Sequence, residues 1–256
     1  MLNPRHILIT GASGGIGAAL AEIYAAPGVR LSLHGRDESR LARVAEAAAC
    51  KGAEVSTHSG DVTDQAGMAA WIADCARMAP LDVLIANAGI SAGTGAGHET
   101  AEQSKAIFAV NLHGVINTVQ PAIPIMTAQG RGQIALMSSL ASFRGFAGAP
   151  SYCASKAAVR IYGEALRGEL AVFGVAVNVV CPGFIRTPMT DCNPFPMPFI
   201  MSAERAARII KRGLARDRAR IAFPSAAYWL VRLAALLPQD LVNRRMAGVP
   251  GKSPKS

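Results

Sequence analysis

The sequence predicts an α/β protein: a doubly wound parallel sheet with helices on both faces. Three observations predict it. Short apolar runs alternate with Ala-rich or amphipathic segments from His6 to Val180, the pattern of buried parallel strands joined by helical crossovers. A glycine-rich segment, TGASGGIG over Thr10–Gly17, lies between the first apolar run and the first helical segment, where such folds hold phosphates. The length of 256 residues, 51% of them hydrophobic, suits one core of that architecture and excludes disorder.

Taken in order, HILITG over residues 6–11 reads as the first strand, and Ile16 to Ala26 as a helix closed by Pro27-Gly28. Val29 to His34 is a second strand. Asp37 to Cys50 is a helix with Leu41, Val44 and Ala48 on one stripe. Ala53 to His58 and Asp64 to Met78 form the third pair, and Leu81 to Ala86 the fourth strand, delivering Asn87-Ala88-Gly89 at its carboxyl end. The Gly89–Gly97 loop leads to a long helix from Ala101 to Met126, broken near Pro121. Gln133 to Met137 is the fifth strand and ends at Ser138-Ser139. A helix holding Tyr152 runs to Phe173, with Ser151 or a loop neighbour as its cap. Ala176 to Val180 is the sixth strand, stopped by Pro182-Gly183. A doubly wound sheet places ligands beyond the carboxyl ends of its strands. Gly11, Asn87, Ser139 and Pro182 all fall there.

Chemistry concentrates in Ser139–Lys156. Tyr152 and Lys156 are four apart, so a helix stacks them on one face. A lysine ammonium beside a phenol favours phenolate and lowers a pKa of about 10 in water, turning tyrosine into a usable acid or base. In the Gly-rich loop, Gly11 allows a tight turn, Gly15 lets a diphosphate reach backbone, and Gly17 lets helix pack close to strand. The helix start adds free N–H groups for phosphates. An NAD-preferring site carries an acidic residue at the end of the second strand. Here Gly35 occupies that place, followed by Arg36. A guanidinium suits a 2′-phosphate, with Ser13 adding a hydroxyl, so NADP(H) is expected over NAD(H).

The five cysteines are scattered and form no Cys-x-x-Cys pair, which speaks against a disulfide framework or a metal site and for a reducing compartment. No signal-like segment opens the sequence, and no uncharged apolar run reaches the roughly 18–20 residues of a spanning helix. The expectation is a cytoplasmic protein. The net charge of +9 is uneven: residues 1–203 hold 14 Lys/Arg against 14 Asp/Glu, and residues 204–256 hold 12 against 3. That asymmetry divides the chain into a catalytic domain, 1–203, and a basic C-terminal extension, 204–256, made of a helix, a short strand at Ile221–Pro224, an apolar helix and a disordered end. The apolar run YWLVRLAALL is too short to span a bilayer. Two readings stay open for 204–246: peripheral contact with a membrane surface, or packing on the domain or a second subunit. Few aromatic residues and no nucleic-acid motif argue against nucleic acid.

Together these motifs resemble the short-chain dehydrogenase/reductase family in its roughly 250-residue form. The resemblance covers Arg5 to Thr190. Its motifs are TGASGGIG, Asp61-Val62, Asn87-Ala88-Gly89, Asn111 in VNLHG, Ser139, Tyr152-x-x-x-Lys156, and Pro182-Gly183 followed by Ile185 and Thr187. Ala86 departs from the family's common Asn. The resemblance implies a Rossmann fold and an NADP(H)-dependent oxidoreductase interconverting a carbonyl and a hydroxyl. It implies Tyr152 as proton donor or acceptor, Ser139 positioning the substrate oxygen, Lys156 lowering the Tyr152 pKa and holding the nicotinamide ribose, and Asn111 completing a water-linked proton path. Gly11, Ser13, Gly15, Ile16, Gly17, Arg36, Asp61, Val62, Asn87, Ala88, Gly89, Pro182, Gly183, Ile185 and Thr187 join Tyr152 and Lys156 around the cofactor. Residues 184–203 would close over the substrate. Phe195, Met197, Phe199, Ile200 and Met201 make that segment apolar, pointing to an apolar carbonyl or alcohol. A homodimer or homotetramer through the Asn111 and Tyr152 helices is implied. The alternative is a cofactor-binding regulator or scaffold without catalysis, against which the intact Asn111, Ser139, Tyr152 and Lys156 set argues.

Overall fold

The computed structural model describes residues 3–91, 98–191 and 196–238. Strand β1 (His6–Thr10) is buried throughout. It sends Ile7 and Ile9 into the core on one face of the sheet and Leu8 into the core on the other, the alternation of a strand covered on both sides. Helix α1 (Gly15–Tyr24) follows, then β2 (Arg30–Gly35), α2 (Glu38–Ala49), β3 (Glu54–Ser59), α3 (Gln65–Met78) and β4 (Val83–Ala86). Asp37 and Asp64 cap α2 and α3 by accepting the N–H groups of Arg40 and Gly67.

Helices α4 (Ala101–Phe108), α5 (Gly114–Val119) and α6 (Ala122–Ala128) make the expected long helix, broken at Pro121. A second irregularity was not foreseen: Ala109–His113, around Asn111, is a π-helical turn. By length and composition Ala101–Ala128 suffices to cross a membrane, although it contains Glu102 and Lys105. Here it buries Ile107, Val115, Val119, Ala122 and Met126 in the core. Strand β5 (Gly132–Met137), helix α7 (Pro150–Leu170) and β6 (Val175–Pro182) complete the predicted alternation. Ser151 does not cap α7. The cap is Ala149, with Pro150 in the first turn, and the Ser151 N–H donates to Glu99 Oε2 at 3.0 Å.

The remaining elements are β7 (Ile185–Arg186), β8 (Met201–Ser202), α8 (Ala203–Ala215), β9 (Arg220–Phe223) and α9 (Ser225–Leu236). The main sheet has the order β3-β2-β1-β4-β5-β6-β9, every pair parallel. Strand order reverses between β1 and β4, the switch point where ligands bind. The boundary drawn at 203/204 falls inside this fold. Strand β9 is the seventh strand, pairing Val180 with Ile221 and Pro182 with Phe223, and α8 sends Ala206, Ala207, Ile210 and Leu214 into the core with Leu20 of α1. The helix is basic outside and apolar inside. Its arginines masked a core-facing stripe spaced as a helix requires.

Candidate active site

One cavity of about 920 Å3 runs along the carboxyl ends of β1, β2, β4, β5 and β6. It is lined by Gly11, Ser13, Gly15, Ile16, Arg36, Asp61, Val62, Asn87, Ala88, Gly89, Ser139, Tyr152, Lys156, Pro182, Gly183, Ile185 and Thr187, so nearly all the predicted site residues meet there. Gly17 stands behind the loop instead. A Cβ on Gly17 would lie 2.2 Å from Gly11 O, a distance no carbon atom tolerates, so this position is closed to side chains. Gly11 and Gly15 have φ of 66° and 56°, the left-handed region that suits glycine. Helix α1 has no side-chain cap, and a Cβ on Gly14 would meet nothing within 4 Å. The loop thus presents open backbone and an uncompensated helix start, a fit for an anionic diphosphate.

Asn87 braces this loop. Its Nδ2 donates to Thr10 O at 2.9 Å and Gly11 O at 3.2 Å, while Thr10 Oγ1 accepts the N–H groups of Asn87 and Ala88. At the far end Arg36 lies 3.7 Å from Asp61 Oδ2 and keeps a side chain 65% exposed. A Cβ on Gly35 would sit 3.1 Å from Ser13 Oγ, so a side chain there would press on Ser13. Beneath this end His34 is buried against both His58 and Trp71, which also stack on each other. Neither of its ring nitrogens has a hydrogen-bond partner among the described residues. Burial first, and the neighbouring His58 second, lower its pKa from 6.5 to about 4.

That shift has a signed consequence. Above pH 6.5 His34 is neutral folded or unfolded. As pH falls from 6.5 to 4 the unfolded chain takes up a proton that the folded chain refuses, so stability is lost across that window and levels off below it. The expected loss is about 3 kcal/mol. Urea unfolding of the parent chain and of His34→Phe between pH 7 and 4 checks it: the variant's stability curve should be flatter by that amount, and parallel curves contradict the assignment.

The reactive end is built from β5, α7 and the π-helical turn. Ser139 follows β5, its Oγ accepts the Ala141 N–H at 3.1 Å, and it hydrogen-bonds the Tyr152 phenol. Lys156, one turn beyond Tyr152, is buried. Its Nζ donates to Met137 O at 3.0 Å and lies 5.9 Å from the centre of the Tyr152 ring. Ser138 Oγ donates to Lys156 O at 2.8 Å and ties α7 to β5.

The expected acidification of Tyr152 by Lys156 is not what dominates here. Burial raises the phenol pKa and the Ser139 hydrogen bond lowers it, with burial prevailing. Burial likewise lowers Lys156 to about 8. The phenol therefore keeps its proton at neutral pH. Asn111, fully buried, accepts the Ile90 N–H at 2.8 Å and donates to Ile90 O at 2.9 Å and Ser155 Oγ at 3.2 Å. Its amide is committed to holding the strand β4 exit against α7. Gly89 sits between: a Cβ there would lie 3.1 Å from Asn111 Oδ1 and 3.2 Å from Lys156 Nζ.

Of the segment 184–203, the described residues Phe184, Met189, Pro196, Pro198 and Phe199 are on the cavity wall, and β7 pairs with β8. Thr190 Oγ1 donates to Ile185 O at 2.7 Å, fixing the turn that carries Thr187. Of the apolar residues singled out here, Phe195 lies outside the described residues and Met201 is buried in the core. Sequence reasoning missed two contributors. Glu99 Oε2 accepts from the first turn of α7, a contact that the expected cap at Ser151 or a loop neighbour left unsought. Helix α9 lends Ala227, Leu230 and Val231 to the wall; packing on the domain is one of the two readings left open for it, but nothing in its sequence pointed to the cavity. Among the described residues no cluster of metal-ligating side chains occurs, and Cys50, Cys75, Cys153 and Cys181 are free thiols.

Residues 5–194 match the family model described as short chain dehydrogenase. The chain is 36% identical over 240 residues to an uncharacterized oxidoreductase of Myxococcus xanthus, covering 93% of this chain and 95% of that one. It is 37% identical over 187 residues to a granaticin polyketide synthase putative ketoacyl reductase of Streptomyces violaceoruber, covering 72% and 69%. Among solved structures, a short-chain type dehydrogenase/reductase from Mycobacterium marinum superposes with a TM-score of 0.80 at 27% identity, covering 88% of this chain and 96% of the other. A 3-ketoacyl-ACP reductase from Sinorhizobium meliloti gives 0.76 at 28%, covering 88% and 99%.

Proposed function

Because this chain belongs to the short-chain dehydrogenase/reductase family of oxidoreductases, we propose that it reduces a carbonyl on an apolar or acyl substrate with NADP(H). The observation that carries the reading is the Tyr152 hydroxyl, bonded to Ser139 on the wall of the cavity that also holds the glycine loop and Arg36. When bound, the nicotinamide supplies the hydride; the protein does the rest. Tyr152 Oη holds a proton at neutral pH and delivers it to the oxygen on which negative charge develops. Ser139 Oγ aims a hydrogen bond at that same oxygen, where stabilisation acts on the transition state. Lys156 Nζ, anchored on Met137 O, keeps positive charge one helical turn from the phenol. Asn111 fixes the Ile90 backbone and α7, and so acts as a positioning residue. Ile185 and Thr187 would hold the nicotinamide end, with Pro182 and Gly183 at the strand end beside them on the cavity wall.

Relatives named as ketoacyl reductases support an acyl carbonyl substrate, and Phe199, Leu230 and Val231 on the wall support an apolar one. NADP(H) preference rests on Arg36 and on Ser13 beside Gly35. The expected result is that NADPH quenches protein fluorescence at lower concentration than NADH. Arg36→Ala should weaken NADPH by about tenfold or more, the worth of a charge-assisted hydrogen bond, while leaving NADH nearly unchanged. Tighter NADH binding by the parent chain contradicts the preference. The family's members are typically oligomeric, and we read this chain as a homodimer or homotetramer through the α4–α6 and α7 surfaces. Ile161 of α7 is exposed there. The free thiols fit work in a reducing cytoplasm.

A further inference from the structure

We propose that the outer face of α9 docks on an anionic lipid bilayer, placing the mouth of the cavity where an apolar carbonyl compound can enter from the lipid. The second half of this proposal rests on the oxidoreductase reading; the first does not.

Helix α9 exposes Trp229, Leu230, Leu233, Leu236 and, just past its end, Leu237, at 62%, 58%, 60%, 81% and 48%. Their spacing puts all five on one face. The opposite face is committed to the domain: Ala227 and Tyr228 pack with Leu140, Phe143, Val179 and Cys181. The helix is pinned in that orientation. Arg144 Nη1 donates to the carbonyls of Ala234 and Leu237, and Arg220 Nη1 donates to Tyr228 Oη at 3.4 Å. Five large apolar side chains are thus held outward by a helix that already has its core contacts.

The charge of the sequence that carries and follows this helix selects the occupant. From Ser225 to Ser256 the sequence has five cations, Arg232, Arg244, Arg245, Lys252 and Lys255, against Asp240 alone. An apolar helix face with Trp and Leu, in a stretch of sequence with an excess of cations, is the chemistry of an anionic membrane interface. A second copy fits less well. Two-fold contact through α9 would bring identical basic segments together. A 12-residue helix offers a strip of about 18 Å by about 10 Å, about 200 Å2, against about 800 Å2 per partner in a stable dimer.

The face is continuous with the cavity. Leu230 is both in the exposed stripe and on the cavity wall, Val231 beside it lines the same wall, and Phe199, 50% exposed, lines it from the lid segment. An apolar compound moving from the bilayer along this rim reaches the Tyr152 end without crossing water.

The test is co-sedimentation of the full chain with phosphatidylglycerol-containing and pure phosphatidylcholine vesicles at low and high salt, with Trp229 fluorescence in parallel. Trp71 is buried and supplies a constant background. We expect binding to the anionic vesicles at low salt with a blue shift of emission. Binding should fall at least tenfold at high salt or in Leu233→Glu/Leu236→Glu, and the shift should vanish in Trp229→Phe. The Glu variant should still turn over a water-soluble ketone, which proves its fold. Vesicle binding without turnover of any carbonyl would uphold docking and remove the oxidoreductase reading. No binding and no shift at any composition overturns the docking proposal. So does emission already blue-shifted without vesicles, which would assign the face to residues 239–256 or, if dilution reverses it, to a second copy.

Discussion

Tyr152→Phe is expected to bind NADPH as tightly as the parent chain and to reduce carbonyl substrates about a thousandfold more slowly, the worth of a positioned general acid. The substitution removes one oxygen atom. The ring still packs in the first turn of α7, and the Lys156 Nζ bond to Met137 O is untouched. What disappears is the proton source and its hydrogen bond with Ser139. The effect should therefore appear in kcat, with the dinucleotide dissociation constant unchanged. Because burial holds the phenol pKa up, the parent should remain active as a reductase through neutral pH. A variant that keeps more than a tenth of parental turnover would assign the proton to another group.

Gly17→Ala carries the second large effect, and for a different reason. The added methyl would come 2.2 Å from Gly11 O and 2.8 Å from Asn87 Nδ2. Both are parts of the braced loop: Asn87 Nδ2 itself donates to the Thr10 and Gly11 carbonyls. The backbone has no room to yield without tearing Asn87 from the loop. Overpacking of this kind costs about 3 kcal/mol, which in a chain this long lowers Tm by roughly 6–10 °C. Dinucleotide affinity should fall about a hundredfold, since the loop that approaches the phosphates is the part displaced. Thermal melts with and without NADPH check both. Gly14→Ala, whose methyl meets nothing within 4 Å, is the matched control and should leave Tm nearly unchanged. Equal behaviour of the two variants would mean that the loop is not built as described.

The parts of this molecule legible in the sequence are those where local chemistry and the global fold agree. The alternation from β1 to β6 was readable because β1, β2, β4, β5 and β6 are buried along almost their whole length, while β3 is the half-exposed edge, and the crossover helices carry a stripe at helical spacing. The glycine loop was readable because a left-handed φ at Gly11 and Gly15 leaves a residue-type signature. What escaped reading is non-local. The π-helical turn at Ala109–His113 has no composition of its own and is seen only once Asn111 bonds Ile90 and Ser155. The stripe of α8 was outweighed by its arginines, so a strand and a helix of the main fold looked like an appendage. The electrostatics of Tyr152 also depended on depth: spacing puts Lys156 near the ring, but only coordinates show Lys156 buried and Tyr152 half-buried, with burial outweighing the Ser139 bond. Likewise Glu99 and α9 reach the site across long sequence distances, 52 residues in the case of the Glu99 bond to Ser151.

The most direct test of the central claim is to follow the hydride itself. NADPH carrying deuterium at nicotinamide C4 is incubated with the full chain and a panel of apolar ketones and 3-ketoacyl thioesters, and the products are weighed by mass spectrometry. One deuterium on the new carbinol carbon of at least one product, formed by the parent chain and about a thousandfold more slowly by Tyr152→Phe, is the predicted result. NADPH bound tightly in the cavity while no carbonyl in the panel acquires deuterium would contradict it.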